Sequence, residues 1–332
     1  VSKAGRFLVL GSNSFSGATF VDYLLQQGAD VIGVSRSPEP HHAFLPYRWS
    51  DRAGQFRFVQ LDLNHDLDAI VDLVRDTRPD IVANFAAQSM VAESWQNPDH
   101  WFITNVVSTI RLHEQLRRFG FLKKYVHVTT PEVYGSVEGL IREDQPFNPS
   151  TPYAVSRAAA DMSLRSYFAA YNFPVVFTRA ANVFGPGQQL YRIVPRTIMC
   201  VKLGQKLQLH GGGTSERSFI HARDVADATF RIALHGKPGE AFHISTDRAI
   251  TIRALVEMIC ARLGVLFGDC VEVVDERLGK DAAYRLDSGK VRREVGWTDR
   301  TSLEQGVDET IRWVETFFDD LRAQPMHYIH KP

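Results

Sequence analysis

Short apolar runs alternate with helical stretches from Arg6 onward, and that alternation leaves few architectures open to the chain. Arg6–Leu10, Asp30–Val34, Arg57–Leu61, Asp80–Phe85 and Tyr125–Thr129 read as strands. Ala18–Gln27, Leu67–Arg75 and a long stretch from about Pro98 to Arg118 read as helices between them. The first run is apolar throughout, which suits a strand covered on both faces. Such alternation implies right-handed crossovers and a parallel sheet with helices on both sides. A ligand then lies beyond the carboxyl ends of the strands. Those ends carry Gly11, Ser35, Asp62, Ala86, Ala87 and Thr129, so these positions converge in space.

Between the first strand and the first helix stands Gly11-Ser12-Asn13-Ser14-Phe15-Ser16-Gly17. A glycine turn opening a helix offers backbone N–H groups and a helix dipole to a pyrophosphate. Together with the alternation it points to an α/β, Rossmann-type doubly wound sheet. Ser14 occupies the middle glycine position, where its side chain either pushes the phosphates outward or hydrogen-bonds to them. The second strand ends at Ser35-Arg36, a hydroxyl and a cation where NAD-selective sites carry an acid. That pair favours NADP, with NAD as the alternative. Read alone, Arg36 is equally a solvated loop residue.

The stretch Ser150-Thr151-Pro152-Tyr153-Ala154-Val155-Ser156-Arg157 reads as a helix start. Thr151 is a cap and Pro152 suits the first turn. Tyr153 and Arg157 then share one helix face, and a cation one turn away is expected to lower the phenol pKa. A tyrosine tuned in this way can take a proton from a substrate hydroxyl. The stretch alone equally fits an ordinary capped helix with surface side chains.

Lys plus Arg equals Asp plus Glu, 38 each, which argues against a nucleic-acid tract or a membrane-surface patch. No apolar run reaches the roughly 18 residues that span a bilayer, and no signal peptide is visible. Cys200, Cys260 and Cys270 fit neither a disulfide framework nor a zinc site. A cytoplasmic protein without nucleic-acid or membrane partners is expected. The histidines show no ligand spacing, so no metal site is expected. Residues 1–180 read as a dinucleotide-binding domain. Residues 181–332 read mainly as a smaller substrate-binding region, with some chain returning to the first domain.

A set of motifs then occurs in a specific order. Gly11 to Gly17 is followed by Phe85-Ala86-Ala87-Gln88-Ser89, Thr104-Asn105-Val106, Thr130-Pro131-Glu132-Val133-Tyr134-Gly135 and the Tyr153 helix. This order resembles the extended short-chain dehydrogenase/reductases, and within them the nucleotide-sugar 4,6-dehydratases. Ala86-Ala87-Gln88-Ser89 with Ser94 and Pro98 resembles GDP-mannose 4,6-dehydratase. The second half is more similar to dTDP-glucose 4,6-dehydratase. It carries Asn182-Val183-Phe184-Gly185-Pro186-Gly187, Val194-Pro195, Gly211-Gly212-Gly213 with Arg217, and Arg277-x-Gly-x-Asp281.

The resemblance implies roles for individual residues. Tyr153 is the base for the 4-hydroxyl, Thr130 its hydrogen-bonding partner, and Glu132 the base for the C5 proton. Gly11, Asn13, Ser14, Phe15, Ser16, Gly17, Ser35, Arg36, Asp62, Leu63, Ala86, Ala87, Asn105, Thr129, Tyr153 and Arg157 are expected at the cofactor. Gln88, Ser89, Thr130, Pro131, Glu132, Asn182, Arg192, Val194, Arg217, Arg277 and Asp281 are expected at a nucleotide-diphosphate sugar. The implied reaction oxidises C4, removes the C5 proton, expels water from C6 and returns hydride to C6. Three positions depart from the pattern. Arg157 replaces lysine, Pro131 stands where an acid or serine is found, and Ser14 replaces glycine. They keep a 4-epimerase, a glucuronate decarboxylase and a non-catalytic binder as alternatives. A homodimer is also expected. It would use Trp101, Asn105, Val106, Thr109, Leu112 and Leu116 with Ala159, Met162, Tyr167 and Tyr171, because the resembling family pairs these helices across a two-fold axis.

Overall fold

A computed structural model describes residues 4–49, 52, 55–137, 139–275 and 285–332. The first half runs β1 (Arg6–Leu10), α1 (Phe15–Gln26), β2 (Asp30–Ser35), β3 (Phe56–Gln60), α2 (Leu67–Thr77) and β4 (Ile81–Asn84). Short helices α3 (Val91–Ser94) and α4 (Pro98–Phe102) follow, and a π-helical stretch, Ile103–Ser108, leads into α5 (Thr109–Leu116). Then come β5 (Lys124–Thr129), β6 (Leu140–Ile141), α6 (Pro152–Tyr171) and β7 (Val175–Ala180). The second half holds β8 (Asn182–Phe184), α7 (Ile193–Lys202), β9 (Leu207–His210), β10 (Glu216–Arg217), β11 (Phe219–His221), α8 (Ala222–His235) and β12 (Ala241–Ile244). It closes with β13 (Ile250–Thr251), α9 (Ile252–Arg262), α10 (Phe267–Cys270), β14 (Val271–Val274), β15 (Arg285–Leu286), α11 (Gly289–Val295), α12 (Leu303–Thr316) and α13 (Phe318–Leu321).

Seven strands form one parallel sheet in the order β12-β7-β5-β4-β1-β2-β3. The order reverses at β1 and β4, so a crevice opens between their carboxyl ends. Side chains of β1 explain why the run is apolar throughout. Phe7 and Val9 enter the core shared with α1 and α8, whereas Leu8 and Leu10 enter the core shared with α2, α5 and α6. A residue on either face of this strand is therefore removed from water, at about 25 cal/mol per Å² of apolar surface. β12 belongs to the second half of the chain and forms the edge of the sheet beside β7. A third core joins α7, α9 and α12 away from the sheet. No helix among the described residues is long and apolar enough to cross a membrane.

The long helix expected from Pro98 to Arg118 is interrupted by the π-helical stretch around Asn105. The face proposed for dimer contact also needs correction. Trp101, Asn105, Thr109, Leu112 and Leu116 are all fully buried within the subunit. Both faces of this segment carry apolar residues, so its pattern does not mark which face turns inward. The outward residues are Phe102, Ile103 and Val107, with Val155 and Met162 on α6.

Candidate active site

The turn after β1 needs its glycines. Gly11 has φ +77°, and a Cβ there would lie 2.6 Å from the Ala86 nitrogen. A Cβ on Gly17 would lie 2.2 Å from the Gly11 carbonyl oxygen. Neither separation is tolerated, so β1, α1 and the β4 turn approach closely only because both positions lack a side chain. Ser14 lines the cavity, and its hydroxyl is engaged within the turn. It caps α1, accepting from the Gly17 N–H at 3.1 Å and donating to the Gly11 carbonyl at 2.7 Å. Phe15 and Ser16 form the first helical turn and contribute to the dipole end that favours anions.

A cavity of about 610 Å³ opens at the switch point, walled by Gly11, Asn13, Ser35, Asp62, Leu63 and Ala86. Ala87, Gln88 and Ser89 continue the wall. Asn13 ties the β1 turn to the end of β2, its N–H donating to Ser35 Oγ at 3.0 Å and its Nδ2 to the Ser37 carbonyl. Arg36 also lines the cavity, but its guanidinium donates to the carbonyls of Lys331 and Pro332. Glu39, the nearby acid, is committed to Arg48 and the Tyr47 hydroxyl.

At the end of β5, Thr130 links the reactive groups. It starts a 3-10 turn, Pro131–Tyr134, and its Oγ1 accepts from the Glu132 N–H at 3.2 Å. The same hydroxyl lies beside the Tyr153 phenol and favours its charged form. Pro131 is buried at the first position of that turn, where a missing N–H is harmless. It shapes the turn that carries Glu132 and has no proton to give. Tyr153 opens α6, where Thr151 caps the helix by accepting from the Ala154 N–H. The Tyr153 N–H donates to Ser94 Oγ, which pins α6 against α3.

The expected lowering of the Tyr153 pKa is not what the site produces. Burial raises it, and the Glu132 charge raises it further. Arg157, the Thr130 hydrogen bond and Arg192 all pull it down without prevailing. Tyr153 is only 9% exposed, so desolvation of a phenolate dominates. Arg157 itself is 2% exposed. Its Nη2 donates to the Val128 carbonyl and lies 3.5 Å from His127 Nε2. Arg157 Nε and Nη1 are buried without hydrogen-bond partners, as is Thr129 Oγ1. Such orphaned polar atoms fit a site that a polar ligand completes.

Other expected positions divide. Asn105 is a clamp rather than an exposed ligand. It is fully buried, exchanges hydrogen bonds with the Gln88 backbone and donates to Ser156 Oγ at 2.9 Å. It thereby fixes the Ala87–Ser89 turn to α6. Arg192 precedes α7 and is close enough to act on Tyr153 electrostatically. Asn182 sits on β8, its Nδ2 donating to the Ser218 carbonyl at 3.4 Å. Arg217 ends β10 and donates to the Glu216 carbonyl. Val194 is 1% exposed within the third core, so its side chain is not presented to a substrate. Arg277 and Asp281 lie outside the described residues.

Sequence reasoning missed several residues. Asn84 is buried at the end of β4, accepts from the Ala86 N–H and donates to the Tyr125 hydroxyl. Asn64 lines the cavity and bonds Thr104 and Ser108. Most of all, residues 324–332 lie against the cavity. Their alternating pattern, with Met326, Tyr328 and His330 at every second place, was a readable signal for an extended segment with one packed face. Among the described residues, His41, His42 and Asp320 bring metal-capable atoms together. His41 Nδ1 accepts from the Ala43 N–H, so the proton sits on Nε2, which faces Asp320 at 3.6 Å.

The strand order, the glycine cradle and a helix tyrosine beside a threonine define an extended short-chain dehydrogenase/reductase. Residues 8–310 match the family described as GDP-mannose 4,6 dehydratase. The dTDP-D-glucose 4,6-dehydratase of Mus musculus is 30% identical over 324 residues, covering 96% of this chain and 90% of its own length. The dTDP-glucose 4,6-dehydratase of Mycobacterium tuberculosis is 31% identical over 317 residues, covering 93% and 92%. A crystal structure of dTDP-glucose 4,6-dehydratase from Streptomyces venezuelae, with NAD bound, is 32% identical with a TM-score of 0.86. It covers 94% of this chain and 97% of its own. A structure of MoeE5 in complex with UDP-glucose and NAD has 28% identity and a TM-score of 0.84, covering 95% and 100%. The chain belongs to the GDP-mannose 4,6 dehydratase family and is an enzyme of the nucleotide-sugar 4,6-dehydratase class.

Proposed function

We propose that the protein removes water from a nucleotide-diphosphate hexose, giving a 4-keto-6-deoxy sugar, with a nicotinamide dinucleotide held in the β1–β4 crevice. The observation that carries this reading is the Tyr153–Thr130–Glu132 arrangement: phenol, hydroxyl and carboxylate meet at the end of β5. Gly11, Asn13, Ser35, Asp62 and Ala86 would hold the dinucleotide, with Thr129 and Arg157 at its nicotinamide end. A bound nicotinamide supplies a reversible store for the hydride that leaves C4 and returns to C6. Tyr153 takes the 4-hydroxyl proton, and Thr130 orients that hydroxyl. The C4 ketone acidifies C5–H, whose proton passes to Glu132. The same proton then leaves on the C6 hydroxyl as water, which makes an acid at position 131 unnecessary. As hydride returns to C6, C5 takes up a proton from solvent through Glu132, and the proton held by Tyr153 is released to solvent. Arg192, with Asn182 and Arg217 beyond it, would face the diphosphate, since guanidinium groups pair with phosphate oxygens.

Epimerases need no base at C5, so Glu132 favours dehydration over 4-epimerisation. Residues 1–180 are assigned to the cofactor and most of 181–332 to the sugar nucleotide. NADP is the favoured cofactor. Ser35, Arg36, Ser37 and Lys331 surround the end of β2, and Glu39, an acid close by, is already paired. The outward stripe of Phe102, Ile103 and Val107 beside Val155 and Met162 supports a homodimer. Incubation with UDP-, dTDP-, GDP- and CDP-hexoses, read by mass, tests the activity. Loss of one water from one of them is expected. Loss of carbon dioxide from a glucuronate, or an unchanged mass across the panel, would overturn the dehydratase reading.

A further inference from the structure

Residues 324–332 cross the mouth of the cavity as an irregular segment joined to its opposite walls. Burial alternates along it: Met326, Tyr328 and His330 are half-buried against the protein, while His327, Ile329 and Lys331 are more exposed and, with Tyr328, line the cavity. Met326 packs against the third core and so anchors the near end. Tyr328 meets Tyr191 edge-on at 5.6 Å, on the α7 side. The His330 ring lies nearly parallel to those of His100 and Trp101, with centroids 5.1 and 5.2 Å away. His330 Nε2 is also 2.8 Å from His100 Nδ1. The next residue is gripped from both walls. The Lys331 carbonyl accepts from Gln88 Nε2 at 2.7 Å and from Arg36 Nη2 at 3.1 Å, and Lys331 Nζ reaches Ser37 Oγ at 3.2 Å.

These contacts span the crevice. Gln88 follows β4 and Arg36 follows β2, on either side of the glycine turn at the end of β1. The segment roofs the cavity without filling it, because about 610 Å³ remains beneath, bounded by Gly11, Asn13 and Ser35 on one side and by Tyr328 and Lys331 on the other. Resting on the assignment of that cavity to the dinucleotide, we propose that residues 324–332 form the outer wall of the cofactor site and retain the bound dinucleotide, with His330 as the latch. Release then requires the His330 stack and the two carbonyl hydrogen bonds of Lys331 to part together. Such retention serves a reaction that ends with its cofactor in the starting state, since exchange between turnovers gains nothing.

Stopped-flow association and dissociation of NAD and NADP test this with the full chain, His330→Ala, and a chain shortened to end at Ala323. Thermal unfolding of each ligand-free protein checks that the shortened chain is folded, and His330→Ala serves if it is not. Dissociation is expected to quicken for both cofactors, by about tenfold in the shortened chain, the equivalent of about 1.4 kcal/mol, and by less in His330→Ala. Association should quicken by less, so that both cofactors are held more weakly. Unchanged dissociation in both variants overturns the proposal. Faster and tighter binding by the shortened chain overturns it too, because the segment would then be a competitor and not a wall. A full chain that binds neither dinucleotide would instead defeat the cofactor assignment itself.

Discussion

Arg157 and Tyr153 lie one turn apart on the buried face of α6, yet the guanidinium donates to the Val128 carbonyl and acts on the phenol only through its field. That field lowers the phenol pKa while burial and Glu132 raise it. Removing it should raise the pKa further. Arg157→Ala is expected to lose about a hundredfold in turnover at neutral pH, within the range for acid–base catalysis, and to regain part of it as pH rises. Arg157→Lys should keep the charge and most of the activity. Turnover against pH for the three proteins decides it. An alanine variant with the parent's profile would remove Arg157 from the site, and one inactive at every pH would make it an anchor rather than a modulator.

Glu132 has two separable effects. As the base for C5–H it is required for loss of water, so Glu132→Gln should reduce dehydration by at least about a hundredfold. It should also stop deuterium exchange from solvent into C5 of the substrate. Its charge raises the Tyr153 pKa, so the neutral glutamine should move the phenol downward. Ultraviolet titration of Glu132→Gln against a Tyr153→Phe control measures that shift. Persistent exchange at C5 would assign the base to another group.

Local chemistry made part of this site readable and distance concealed the rest. Gly11 and Gly17 were legible because the left-handed φ at Gly11 and the close approach of Gly17 to the Gly11 carbonyl are set within seven neighbouring residues, although the Gly11 contact with Ala86 is not. Thr151 and Pro152 were legible as a cap for the same reason. The sign of the Tyr153 shift was not, because the spacing to Arg157 carries no information on burial. That burial comes from Ser94, Thr130 and Glu132, which the fold brings in from elsewhere. The inward face of Trp101 to Leu116 was misassigned because that segment is apolar on both sides. Residues 324–332 were overlooked because their partners Arg36, Gln88 and His100 are more than two hundred positions away.

A buried histidine sets an acid limit on stability. His243 on β12 is fully buried, with Nε2 2.8 Å from the Tyr134 hydroxyl and Nδ1 3.2 Å from the Ile141 carbonyl. Burial, with Arg179 nearby, lowers its pKa to about 3. The unfolded chain protonates this residue near 6.5 and the folded chain does not, so stability falls as pH drops from about 6.5 toward 3. One such residue contributes about 2 kcal/mol of loss by about pH 5, at about 1.4 kcal/mol per unit. His113, lowered to about 4 by burial, adds in the same direction. Urea unfolding at about pH 7 and pH 5 should show the loss, and His243→Gln should flatten it. Parallel profiles for the two proteins would exclude His243 as its source.

The exposed stripe on α4, the π-helical stretch and α6 predicts self-association. Ile103 is 45% exposed and Met162 61%, values unusual for large apolar side chains on two neighbouring helices. A two-fold contact would bury both at once. Sedimentation of the parent should give a dimer. Ile103→Lys combined with Met162→Lys should give a folded monomer, since a charge buried without a partner is costly at such a contact. A monomeric parent at working concentration would contradict the dimer outright.

Arg36 offers the means to separate cofactor choice from cofactor retention. Its guanidinium holds the Lys331 and Pro332 carbonyls, and it stands beside Ser35 and Ser37 where an adenosine ribose would lie. Two roles follow from that position. If it binds a 2′-phosphate, Arg36→Ala should weaken NADP by at least about tenfold and leave NAD nearly unchanged, because only NADP carries that group. If it serves only to hold residues 324–332, both dinucleotides should leave faster by the same factor. Measuring equilibrium affinity and release rate for the two cofactors in parent and variant resolves the roles. A loss selective for NADP establishes the phosphate contact. Equal losses would refute the 2′-phosphate contact, since removing such a contact costs NADP alone.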